Sequence, residues 1–115
     1  MTVAQFRKIA TRLPEAIESA HMGHPDFRVR GKVFASLGHP DAGWGMVKLT
    51  PEQQALCLEA EPAIFAPAKG AWGKAGATCV QLKAAKAKPL GAVLAAAWRN
   101  TAPKALVRAF DEENP

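Results

Sequence analysis

The sequence predicts an α+β domain, an antiparallel sheet with helices packed on one face, and three observations carry that expectation. Two capping boxes, Thr2-Val3-Ala4-Gln5 and Thr50-Pro51-Glu52-Gln53, mark helix starts, because the Thr hydroxyl and the Gln amide satisfy orphan N–H groups there. Short runs with period-two alternation, punctuated by Gly and Pro, lie around the second box and read as strands. From Pro89 onward, Leu90, Val93, Leu94, Ala97 and Trp98 recur at the spacing of one apolar helix face. A chain of 115 residues builds one core, so residues 1–115 are expected to form a single domain.

In chain order, the first helix carries Val3, Phe6, Ala10 and Leu13 on its apolar face and Arg7, Lys8 and Arg12 opposite, and Pro14 ends it. Residues 15–21 read as a short strand. Asp26 to Leu37 reads as a β-hairpin turning at Arg30-Gly31-Lys32, where Gly supplies a positive φ. Alternation then puts Phe27, Val29 and Phe34 toward the helices, and Arg28, Val33, Ala35 and Leu37 on the other side. Gly38 to Gly43 is a loop, and Trp44 to Leu49 the next strand. Helix two runs from Pro51, at a position where a missing N–H costs nothing, to about Glu61. The segment Pro67 to Thr78, with Gly70, Gly73 and Gly76, reads as a loop leading into the strand Thr78-Cys79-Val80-Gln81-Leu82. After the last long helix, Pro103 either kinks it or starts a further turn capped by Thr101.

Charge divides the chain. Residues 1–61 carry seven basic and seven acidic side chains, whereas residues 62–110 carry eight basic and no acidic ones before Asp111, Glu112 and Glu113. Such a field concentrates anions, nucleic acid or acidic protein among them, although it equally serves solubility. With no apolar run of membrane length and no signal-peptide pattern, the chain reads as cytoplasmic, with no membrane partner. Cys57 and Cys79 lie in unrelated contexts without a CxxC pair, which favours structural thiols over a disulfide or zinc site.

The stretches Leu13-Pro14-Glu15, Phe27-Arg28-Val29-Arg30-Gly31-Lys32-Val33-Phe34-Ala35, Pro67 to Gly76 with Thr78, and Ala97-Trp98-Arg99 followed by Ala102-Pro103-Lys104 resemble the MmcQ/YjbR family. The resemblance implies a CyaY/frataxin-like α/β sandwich and carries the label of a DNA-binding protein. At Ala77 the chain departs from a pattern in which a second tryptophan precedes the threonine. The iron handling of frataxins does not carry over, because helix one presents Arg7, Lys8 and Arg12 rather than an acidic ridge.

Three constellations are chemically suggestive. Lys69, Trp72 and Lys74 among glycines suit an anion surface where a Trp stacks on a base, or alternatively a Trp lid over a sheet edge; the GxxxxGK[ST] spacing of a nucleotide-hydrolysing loop is absent. Arg28, Arg30 and Lys32 on the hairpin, with Lys48 sharing the open-face parity of Gln81, suit a wing on a phosphate backbone, or a merely solvated hairpin. His21, His24, His39 and Asp41 offer metal-ligand chemistry without diagnostic spacing, and Glu15 and Glu18 suit ion pairs rather than acid/base work. The expectation is a non-enzymatic binding domain that contacts DNA through Arg28, Arg30, Lys32, Lys48, Lys69, Trp72 and Lys74. The alternative is a protein-interaction or small-ligand domain using the open sheet face around Trp44, Met46 and Trp72. No catalytic residue, metal or cofactor is assigned.

Overall fold

A computed structural model describes residues 1–114. The elements run α1 (Val3–Thr11), β1 (Ala16–His21), β2 (His24–Val29), β3 (Lys32–Leu37), β4 (Trp44–Lys48), α2 (Pro51–Ala60), β5 (Phe65–Pro67), α3 (Gly70–Lys74), β6 (Ala77–Gln81), α4 (Ala87–Thr101) and α5 (Lys104–Glu113). The six strands form one antiparallel sheet in the order β1-β2-β3-β4-β6-β5. Helix α4 crosses β3 and β4, with α1 packed beside it, so the apolar helix stripes share one face of the sheet. The α+β architecture expected from the sequence is the one observed.

Local chemistry explains the elements. Both capping boxes are made: Thr2 Oγ1 accepts from Gln5 N and Thr50 Oγ1 from Gln53 N, each returned by the glutamine side chain to the Thr N–H. Two hairpins turn on two residues in the left-handed region, Met22-Gly23 (φ 51° and 81°) and Arg30-Gly31 (φ 51° and 79°). Paired positive φ values belong to the turn whose twist matches that of the flanking strands. The first of these turns joins β1 to β2, and it starts β2 at His24 rather than at Asp26.

The core joins Phe6 and Ala10 of α1, Phe27 and Val29 of β2, Phe34 and Leu37 of β3, Val47 of β4 and Val80 of β6, and Leu90, Leu94, Ala97 and Trp98 of α4. Each Val, Leu and Phe among them contributes about 1.5–3 kcal/mol by leaving water. Phe6 reaches the sheet because Gly45 has no side chain there; a Cβ would lie 3.0 Å from its ring. Trp98 is fully enclosed, donates its Nε1–H to the Pro14 carbonyl at 2.9 Å, and packs 5.0 Å from the Phe110 ring of α5.

The structure corrects three expectations. Ala35 and Leu37 lie on the core side with Phe27, because a bulge between Phe27 and Arg28 in the β2–β3 register sets two consecutive residues, Phe34 and Ala35, toward the helices. The segment after Pro67 is more than a loop: Phe65–Pro67 pairs with β6, and Gly70–Lys74 is helical. Pro103 opens a separate helix, and Thr101 does not cap it, its hydroxyl donating instead to the Ala97 carbonyl.

Candidate functional site

With α1 and α4 on one face, the other face of the sheet is left open, and strand register decides which side chains meet there. One row crosses it as Ser19, Asp26, Ser36, Met46, Cys79 and Ala66, each paired with the next across a strand boundary. A second row brings Ile17, Arg28 and Val33 side by side, with Lys48 two strands from Arg28 and paired with Ala77. Met46, Ala68, Ala77 and Cys79 are buried together with Trp44 against them, so the open face has a small apolar floor of its own.

Two walls turn this face into a cleft of about 720 Å³. On one side stands the β1–β2 turn with His21, Met22 and His24; on the other stand His39 and Trp72. The floor between them is Asp26, Arg28, Val33, Ser36, Met46 and Lys48. His24 packs over Gly38, where a Cβ would come within 2.9 Å of Nδ1. The cleft exceeds the open depression beside α5, which holds about 460 Å³.

The glycines of the Lys/Trp segment hold Trp72 in place. Gly70 opens α3 at φ +68°, a conformation that favours glycine. Gly73 lies so close to Ala68 that a Cβ would sit 1.8 Å from its carbonyl oxygen, and one on Gly76 would sit 2.0 Å from the Leu49 oxygen. Gln54 Nε2 donates to the carbonyls of Gly73 and Ala77 at 3.0 Å each, tying α2, α3 and β6 together. These glycines therefore serve close packing and a turn. The anchored helix carries an indole that is 62% exposed and tilted against the His39 ring, 6.5 Å between centroids.

Electrostatics within the cleft follow from one ion pair. Asp26 is buried and accepts from Arg28 Nε and Nη2 at 2.9 and 3.0 Å, a bidentate geometry with directional strength. That hydrogen bond, with the attraction of the carboxylate, raises the Arg28 pKa and keeps the guanidinium charged. Lys48 forms no ion pair among the described residues.

Of the seven predicted site residues, the cleft brings together Arg28, Lys48 and Trp72. Arg30 lies outside and is bound at Nε and Nη2 to both carboxylate oxygens of Glu15, at 2.6 and 3.0 Å. Lys32 sits at the hairpin turn, Lys69 just precedes α3 and Lys74 ends it; all three are exposed and none lines the cleft. Glu18 pairs with Arg7, so both glutamates of the first strand region serve structural pairs. His21, His24 and His39 do not converge with acids or thiols into a metal-holding group among the described residues. Sequence reasoning missed Asp26 as the partner of Arg28, although positions two apart on a strand face the same way. It also missed Met22, which enters only once the first hairpin is recognised.

A family model named YjbR matches residues 11–100. The chain belongs to the YjbR family. The matched span includes both hairpins, the α3 segment and most of α4, and hence every residue lining the cleft. Among solved structures, the crystal structure of Deinococcus radiodurans protein DR2400, described as carrying the family-model domain DUF419, superposes with a TM-score of 0.70 at 22% identity. The likeness covers 84% of this chain and 75% of that one, and it establishes the shared fold. No curated protein matches the sequence. The YjbR domain is thus a domain of uncharacterised function, and among its described residues no helix is long and apolar enough to cross a membrane.

Proposed function

We propose that this YjbR domain is a non-enzymatic small-ligand-binding protein of the cytoplasm whose site is the cleft on the open sheet face. The observation that carries this reading is the cleft itself: about 720 Å³, apolar in Met22, Val33, Met46 and Trp72, with few charged groups aimed into it. Volumes of about 300–1,000 Å³ with a mostly apolar lining and a small number of placed polar groups are typical of small-molecule sites. Within the cleft Arg28 and Asp26 are bonded to each other, a placed polar pair beside the apolar floor.

A second reading, DNA binding, is favoured by a different observation: none of the lysines is engaged in an ion pair among the described residues, so their field is unneutralised. It is weakened by the hairpin, where Arg28 and Arg30 are both held by carboxylates and leave Lys32 as the free cation of the wing. Contact with about six phosphates would give a slope of log K against log salt near −5.

Two titrations of the folded protein separate the readings. A fragment library added to ¹⁵N-labelled protein is expected to yield ligands that shift Met22, Val33, Met46 and the Trp72 indole together. A fluorescein-labelled duplex followed by anisotropy across several salt concentrations is expected to show weak binding at most. Fragments that bind only elsewhere, or not at all, would overturn the cleft reading. Saturable duplex binding with the steep salt slope would put the DNA reading in its place.

A further inference from the structure

We infer that the ligand of this cleft is a planar aromatic anion, its negative group lying against Arg28 and Lys48 and its ring against Trp72. This assignment rests on the small-ligand reading and deepens it.

Charge comes first. The cleft contains two cationic side chains of permanent charge, Arg28 and Lys48, and one carboxylate, Asp26. Both Asp26 oxygens already accept from Arg28, and the Asp26 side chain is only 5% exposed, so its charge in the cleft floor is matched by the guanidinium and little of it is open to a ligand. The bonds use Nε and Nη2, which leaves Nη1 without a partner among the described residues and the Arg28 side chain 33% exposed. Asp26 thereby fixes the orientation of the guanidinium, which is the preorganisation that recognition of a carboxylate, sulfonate or phosphate requires. Lys48 stands on β4, two strands over, about 10 Å away at the backbone. Two long cationic side chains at that separation can close on one anionic group from opposite sides, with Val33 on the strand between them.

The apolar part fixes the rest of the ligand. Met46 is 3% exposed and forms the floor one row inward. Trp72 stands over that floor on a helix anchored by Gln54 and by the Gly73–Ala68 contact. Among the described residues its aromatic neighbour is His39, which meets it at 60° and so does not stack on the indole. An exposed, rigidly mounted indole beside a thioether floor suits a flat ring, since stacking on tryptophan needs a π-face and little sequence of polar contacts. A cationic ligand would meet the two positive groups, and a flexible aliphatic anion would leave Trp72 in water.

The test uses three probes on the full chain: the aromatic sulfonate 8-anilino-1-naphthalenesulfonate, its uncharged counterpart N-phenyl-1-naphthylamine, and inorganic sulfate as a competitor. Binding is read by probe fluorescence, and the melting curve of each variant verifies folding. The sulfonate is expected to bind saturably at one site and at least about five-fold more tightly than the neutral amine. Lys48→Gln, a change at an exposed position, should weaken the sulfonate about five-fold and leave the amine unaffected. Trp72→Ala, also exposed, should weaken both about five-fold or more. Excess sulfate should displace the sulfonate only weakly, because it lacks the ring. Equal affinity for the two dyes, or indifference of the sulfonate to Lys48→Gln, would overturn the anionic class while leaving the cleft as a binding site. Failure of both dyes to bind, or binding indifferent to Trp72→Ala, would overturn the cleft reading itself.

Discussion

Gly73→Ala tests the mounting of Trp72, and its cost can be worked from the contact it would create. The new Cβ would stand 1.8 Å from the Ala68 oxygen and 2.8 Å from its carbonyl carbon, both backbone atoms that no rotamer change can move aside. A carbon and a carbonyl oxygen approach no closer than about 3.3 Å, so α3 must shift by about 1.5 Å. A shift of that size breaks the Gln54 bond to Gly73 O, now 3.0 Å, and the Gly76 N bond to the same oxygen, now 3.1 Å. Two lost bonds at about 1 kcal/mol each, with overpacking of about 1–3 kcal/mol, give a destabilisation of about 3–5 kcal/mol. For a domain of this size that lowers Tm by about 12–20 °C. Gly91→Ala is the matched control. Gly91 lies inside α4 with nothing within 4 Å of a Cβ, so alanine there should stabilise by about 0.5–1 kcal/mol. Differential scanning calorimetry of the two variants should therefore move Tm in opposite directions. A Gly73→Ala protein that melts with the wild type would refute the packing of α3 against Ala68.

Other expectations follow from single contacts. Trp98→Ala should cost about 3–5 kcal/mol in urea denaturation, and Trp98→Phe about 1–3 kcal/mol, because the phenyl ring retains packing and leaves the Pro14 carbonyl unpaired; equal stability of Trp98→Phe and the wild type would show that this bond contributes nothing. The Arg30 hydrogen bond holds Glu15 below the usual glutamate pKa, so the pair supports the fold above the unfolded glutamate value and loses that support as pH falls through the lowered one. Carboxyl NMR should find Glu15 titrating low and returning to the ordinary range in Arg30→Gln; an unmoved Glu15 would contradict the pairing. Burial pushes both thiols up, Cys79 being 4% exposed, so a disulfide reagent should label Cys57 first and Cys79 only as the protein unfolds. Cys79 reacting as fast in the folded protein as in denaturant would contradict the packing of β6.

What the sequence reveals and what it hides differ by range of interaction. The α4 stripe, the capping boxes at Thr2 and Thr50, and the Arg30-Gly31 turn depend on neighbours within four residues, and all are legible. The parity of Lys48 and Gln81 on the open face is legible too, since alternation in β4 and β6 is undisturbed. The bulge is not: Phe34 and Ala35 are both apolar, so nothing in their chemistry says that two successive residues face the helices. Helix α3 is masked by glycines that look like loop residues: Gly70 is there for its positive φ, Gly73 because Ala68 occupies the space of a side chain, and Gly76, just after the helix, because Leu49 does. The carboxylate partners of the hairpin arginines were only half accessible. Asp26 lies two residues before Arg28 on one strand, whereas Glu15 meets Arg30 only through the pairing of β1 with β2, in which Ala16 faces Val29.

The claim that the open sheet face is a small-molecule site is tested most directly by ¹H–¹⁵N NMR on one labelled sample, titrated first with 8-anilino-1-naphthalenesulfonate and then, separately, with duplex DNA. Shifts from the sulfonate confined to the Trp72 indole and the backbone of Met22, Arg28, Val33, Met46 and Lys48 are expected, with little response to the duplex. Sulfonate shifts scattered over other surfaces, or a duplex response spread along Lys32, Lys69 and Lys74 with the cleft unmoved, would contradict it.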